Sequence, residues 1–200
     1  MNRRMNEENR TKETAAAWET LLENCRSCSA CPLSKTRTNC VFGTGNPDAD
    51  LLFIGEAPGR EEDISGIPFV GRAGKLLDKY LYAVDIPRES VYIANILKCR
   101  PPENRDPLPE EEDACIGYLR EQLKLIRPRI IVCLGRISAL RLIKPDFRIT
   151  REHGVWFQKG NYQMTAVFHP AALLRDPTKK ELMLEDMKEI KKRLDALSNG

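Results

Sequence analysis

The chain has two hundred residues, with 32 basic and 29 acidic side chains and a net charge of +3; this suits one domain with its own core, and no global charge excess names a partner. No apolar run approaches the roughly 18 residues of a membrane helix, and the polar stretch Met1 to Glu13 lacks the apolar centre of a signal peptide, so the expected setting is the cytoplasm, with no membrane partner. Seven cysteines in such a compartment read as thiols or metal ligands, not as a disulfide framework.

The opening dozen residues are polar and expected to be loose, and Thr14 to Leu22 has helical composition. A polar, partly helical extension over 1–20 is therefore expected ahead of a single domain over 21–200. Leu51-Leu52-Phe53-Ile54, closed by Gly55, reads as a strand buried on both faces. Leu76, Leu77, Tyr80, Leu81 and Val84 recur at helical spacing, and Val91 to Ala94 is a second strand ending at Asn95. A proline-rich loop, Arg100 to Pro109, leads to Glu110-Glu111-Glu112-Asp113, where carboxylates suit the positive end of a helix. Ile130 to Leu134, stopped by Gly135, and Met164 to Phe168, stopped by His169-Pro170, are the third and fourth strands; Lys179 to Leu197 is a last amphipathic helix. This β-α-β-α order predicts a three-layer α/β/α domain around a four-stranded parallel sheet. Ligands of such sheets sit outside the carboxyl ends of the strands, here Gly55-Glu56, Asn95, Gly135 and His169.

Two cysteine pairs frame the first of those ends: Cys28 with Cys31, and Cys99 with Cys115. Thiolates suit both zinc and iron–sulfur clusters, so spacing leaves the metal open. Cys25, Cys28 and Cys31-Pro32 imitate part of a bacterial ferredoxin run whose fourth cysteine is missing, and Cys133 and Cys40 read as buried thiols. Gly55-Glu56-Ala57-Pro58-Gly59 makes a tight turn whose backbone can approach a ligand, without the residues of a P-loop or dinucleotide site. The carboxylates Glu56, Glu61, Glu62 and Asp63 either serve that site or begin a helix. Leu173-Leu174-Arg175 after His169 is either a short helix packing inward or a wedge for a base stack, and Phe69 is either core or a stacking platform.

Taken in order, Cys28 to Leu33, Val41 to Gly45, Gly55 to Asp63, Pro68 to Gly74, Asn95 to Arg105 and His169 to Arg175 closely resemble the family 4 uracil-DNA glycosylases. The resemblance implies a four-stranded parallel sheet, a [4Fe–4S] cluster on Cys28, Cys31, Cys99 and Cys115, and excision of uracil from DNA as the first step of base-excision repair. It implies single- or double-stranded uracil-containing DNA as partner, a monomer, and a bacterial or archaeal, nucleoid-associated setting. Arg60, where relatives often carry an acid, and Ala171, where serine is common, depart from the pattern.

The roles that follow are expectations. His169 donates to the developing negative charge on the departing base, Asn95 reads the uracil edge, Phe69 stacks on it, and Glu56, Ala57 and Gly59 complete the substrate site. Glu62 activates water, with Asn95 as the alternative that orients it. Leu173, Leu174 and Arg175 fill the space a flipped nucleotide leaves, and Arg72, Arg100 and Arg105 meet phosphates. Two further readings stay open: a zinc-stabilised nucleic-acid module without catalysis, and a glycosylase of different deaminated-base specificity.

Overall fold

Each apolar run that ends in glycine, asparagine or histidine–proline is a strand of one sheet. The computed structural model describes residues 2–198, with side chains over 13–197. Its strands among the described residues are β1 (Thr44–Gly45), β2 (Leu51–Gly55), β3 (Tyr92–Asn95), β4 (Ile130–Leu134), β5 (Phe157–Lys159) and β6 (Tyr162–Val167), in spatial order β1-β3-β2-β4-β6-β5. The central strands β3, β2, β4 and β6 pair in parallel, with Gly55 opposite Asn95 and Leu134 opposite Val167. The sheet is therefore six-stranded and mostly parallel, wider than the four strands the sequence predicts. The two additions pair antiparallel at the edges, β1 with β3 and β5 with β6. At two and three residues they are too short to show a period, and short edge strands protect a sheet from further pairing.

The helices are α1 (Asn2–Arg26), α2 (Arg60–Ser65), α3 (Arg72–Ala83), α4 (Pro109–Ile126), α5 (Arg136–Leu142), α6 (Ile149–Glu152), α7 (Pro170–Arg175) and α8 (Lys180–Ser198). Alternate strand residues point to opposite faces. Leu52, Ile54, Ala94, Ile131 and Cys133 pack with Cys115, Ile116 and Leu119 of α4; Leu51, Phe53, Ile93, Ile130 and Val132 pack with Leu77 and Leu81 of α3 and Met183, Met187 and Ile190 of α8. Two apolar layers sandwich the sheet, as expected of strands without a polar face.

The expectation of a loose opening dozen gives way to a helix running without a break from Asn2 across residue 20 to Arg26. That span holds no glycine or proline and is rich in strong helix formers such as Ala15, Ala16 and Ala17. Its far end is tied to the domain: the Trp18 ring meets Phe42 and Tyr92 edge-on at 5.4 and 5.5 Å, and the Tyr118 hydroxyl donates to the Asn24 carbonyl at 3.0 Å.

Candidate active site and cysteine cage

Because β2, β3, β4 and β6 run parallel, their carboxyl ends open on one side of the sheet. There a cleft of about 770 Å³ is lined by Glu56, Ala57, Gly59, Glu62, Phe69, Arg72, Asn95, Gly135, His169, Leu174 and Arg175, among others. The residues expected at the substrate site thus meet in one place although they lie over a hundred positions apart.

Asn95 ends β3 and is 1% exposed, and its Oδ1 is buried with no hydrogen-bond partner in the protein. An unmade bond on a buried polar atom costs about 1–3 kcal/mol, so this atom is held ready for a ligand. The sequence places Gly55 at a strand end where a ligand is expected, without giving it a role. A Cβ there would stand 2.3 Å from Asn95 Oδ1 and 2.8 Å from the Phe69 ring, so only glycine leaves this floor of the cleft open. Phe69 is buried in the left-handed region at φ 55, a strained conformation for a bulky residue. Arg88 holds it, donating from Nη2 to the carbonyls of Pro68 at 3.0 Å and Phe69 at 3.1 Å while its other terminal nitrogen pairs with Asp78. Arg88 carries no motif signal, because its partners are backbone atoms some twenty residues away in sequence.

His169 caps α7. Its Nδ1 accepts the Ala171 N–H at 3.1 Å, which leaves Nε2 as the nitrogen that carries the proton and faces outward as a donor. Part of the ring stays open to the cleft, yet protein atoms surround it, and burial, followed by the charge of Arg175, pushes its pKa down to about 4. His169 is therefore a neutral donor at physiological pH. Ala171 supplies only its backbone N–H, so the absence of serine leaves this bond intact. Gly135 at φ 96 lets the chains approach: a Cβ would stand 2.8 Å from the Cβ of His169. The Phe69 and His169 rings lie 5.7 Å apart, tilted by 38°.

Three expected roles need correction. Glu62 is no free base, because its carboxylate accepts the N–H groups of Gly59 at 3.1 Å, Val70 at 3.0 Å and Gly71 at 2.9 Å, bracing the loop that carries Phe69. Glu56 lines the cleft with no hydrogen bond of this kind on its carboxylate among the described residues; it is half-buried, with its pKa raised to about 7 by burial first and then by Asp106, which lines the cleft as well. Leu173 is no wedge: it is 0% exposed in the core between α3 and α8, whereas Leu174, 37% exposed, and Arg175 line the cleft. Arg105 is committed to the buried Glu111 through two bonds of 2.9 and 2.6 Å, which hold the Glu111 carboxyl below the usual carboxylate range. Arg72 is exposed at the cleft; Arg100 is not among the lining residues, and its Nε donates to Asn104, which is, at 2.8 Å.

Cys28, Cys31, Cys99 and Cys115 line a second small cavity, bordered also by Cys25, between the end of α1, the loop after β3 and the start of α4. N–H donors aim at their sulfurs: Arg37 Nη1 to Cys99 at 3.1 Å, the Lys98 backbone to Cys115 at 3.3 Å and Ala30 to Cys28 at 3.5 Å. Sulfurs that receive hydrogen bonds suit thiolate ligands. Among the described residues, no three such side chains stand close enough to hold a single metal ion.

The family model for the uracil DNA glycosylase superfamily matches residues 42–195. A type-4 uracil-DNA glycosylase of Archaeoglobus fulgidus is 48% identical over 82% of this chain and 86% of its own length. One from Thermotoga maritima is 43% identical over 86% of this chain and 92% of its own. A type-5 uracil-DNA glycosylase of Thermus thermophilus is 30% identical over 76% of this chain and 79% of its own.

Proposed function

The chain belongs to the uracil DNA glycosylase superfamily, within its type-4 group, and from that membership we infer that it hydrolyses the bond joining uracil to deoxyribose in DNA, releasing the base and leaving an abasic site. The observation that carries the reading is the buried, unpartnered Oδ1 of Asn95 on the cleft floor. It accepts the uracil N3–H while the same amide donates to O4; cytosine, with an unprotonated N3 and an amino group at position 4, would leave both groups unpaired. Phe69 stacks on the base.

Uracil leaves with its electrons, so negative charge grows on its O2 and positive charge on the sugar. The neutral His169, its tautomer set by Ala171, donates from Nε2 to that oxygen. A donor fixed before the charge appears lowers the barrier without reorganisation. Glu56, which exchanges its proton near neutrality, receives the proton of the attacking water, and Glu62 keeps Phe69 in position. A base inside a duplex is out of reach, so the nucleotide must swing out; Leu174 fills the gap, with Arg72, Arg100 and Arg175 toward phosphates.

Cys28, Cys31, Cys99 and Cys115 would hold a [4Fe–4S] cluster, which supplies a cross-link between distant segments, since hydrolysis moves no electrons. Thiolates suit both zinc and iron–sulfur clusters, and the likeness to type-4 glycosylases supports the cluster. A brown protein with broad visible absorbance is expected. Incubation with a uracil-bearing oligonucleotide and then alkali tests the activity: strand cleavage at the uracil position is expected, and an intact strand with no free uracil refutes the reading.

A further inference from the structure

Cys25 borders the cage cavity and Cys40 lies outside it; neither is among the four expected ligands or in the cleft, yet their sulfurs lie 3.2 Å apart. We propose that this pair is a redox-active dithiol that closes to a disulfide under a small peroxide, fastening the last turn of α1 to the segment that leads into β1. The approach is a contact between two thiols, and closing to the roughly 2.05 Å of a disulfide asks for a side-chain rotation, not a backbone rearrangement.

The two thiols differ in access. Cys25 is 1% exposed, whereas Cys40 is half-buried and opens on a separate cavity of about 290 Å³, lined also by Trp18, Arg26, Phe42 and Tyr92. This cavity lies at the β1 edge of the sheet, beyond the substrate cleft. A peroxide entering it meets Cys40 beside the Arg26 guanidinium, with Cys25 directly behind. Cys40 sulfur attacks one peroxide oxygen, the O–O bond breaks, and the departing hydroxide takes a proton to leave as water. Cys25 sulfur then attacks the sulfenic sulfur of Cys40, the S–O bond breaks, and the second hydroxide takes the Cys25 proton. Two thiols are oxidised and the peroxide is reduced to two waters.

The loop so closed contains both Cys28 and Cys31. The disulfide therefore holds half of the cage sulfurs near their seats without help from Cys99 or Cys115. The inference rests on the two thiols alone and stands apart from the catalytic reading.

The test titrates the purified holoprotein with hydrogen peroxide, blocks remaining thiols with N-ethylmaleimide, and maps unreduced peptides by mass spectrometry. The peptide carrying Cys25 is expected joined to the one carrying Cys40, with the protein lighter by two hydrogen atoms and the link lost on adding dithiothreitol. In Cys40→Ser the link should be absent and Cys25 fully blocked, with the visible spectrum of the holoprotein unchanged. The proposal is overturned if both thiols of the unsubstituted protein are blocked after the cage cysteines have oxidised, or if Cys25 is found joined to Cys28 or Cys31. It is equally overturned if Cys25→Ser loses the visible spectrum, which would make Cys25 a cage ligand.

Discussion

The substrate cleft and the cysteine cage lie at the two ends of one short stretch, Asn95 to Cys99, and are built in opposite ways. In the cleft, backbone N–H groups act behind the ends left open: Ala171 holds Nδ1 of His169 and leaves Nε2 free, and Val70 and Gly71 take up the Glu62 carboxylate that braces the loop of Phe69. In the cage the donors run to the functional atoms themselves, with Arg37 and the Lys98 backbone on sulfur. One region poises reactive ends; the other consumes its polarity in cohesion. Lys98 couples them: 1% exposed, it gives its backbone N–H to Cys115 and its ammonium to the Asn95 carbonyl at 2.9 Å and to Gln122 at 2.7 Å. Damage to the cage should therefore reach the cleft as lost order, not lost chemistry.

The sharpest break of this contrast is His169→Ala, expected to slow single-turnover uracil release about 10²–10³-fold. Affinity for uracil-bearing DNA should change little; equal losses in rate and binding would remove the donor role. Glu56→Gln should cost about 100-fold in rate. In the unsubstituted protein the carboxyl must be ionised to take a proton, so the rate should climb as pH rises through about 7, and the variant should lose that inflection. Stability runs the other way. The folded protein holds this proton more tightly than the unfolded chain, so stability is lost as pH rises from the ordinary carboxylate range through 7, and Glu56→Gln should melt higher at pH 8.

On the cage side, Cys99→Ala should lower the melting temperature far more than it lowers the rate per folded molecule, read by calorimetry beside active-site titration. Leu173→Ala should cost about 2–5 kcal/mol in denaturant unfolding, since it empties a core position. Leu174→Ala should stay within about 0.5 kcal/mol and weaken excision from duplex more than from single strands. Glu62→Gln, which disturbs the three-donor brace, should cost about 1–3 kcal/mol of stability. Its pH–rate profile should keep the inflection near 7; a profile that flattens would return the base role to Glu62.

Periodicity and punctuation make the central sheet legible: Leu51 to Ile54 and Ile130 to Leu134 are strands because continuous apolar runs closed by glycine suit burial on both faces. The same logic brings Asn95 and His169 to one edge, since parallel strands end on one side. It fails for β1 and β5, too short for a period, and for the first turns of α1, where polar composition hides strong helix propensity.

What no local pattern contains is the destination of each side chain once the layers close. Leu173 and Leu174 are identical neighbours, and only the turn of α7 against α3 and α8 sends one into the core and leaves the other at the cleft. Glu56 and Glu62 are two acids of one motif, separated in role because Val70 and Gly71 fold back onto the second alone. Chain order and residue type dictate which elements form and which motif they carry; contacts between residues distant in sequence decide which copy of a residue stays free to react, because a hydrogen bond or a burial is shared with a partner the local sequence does not name.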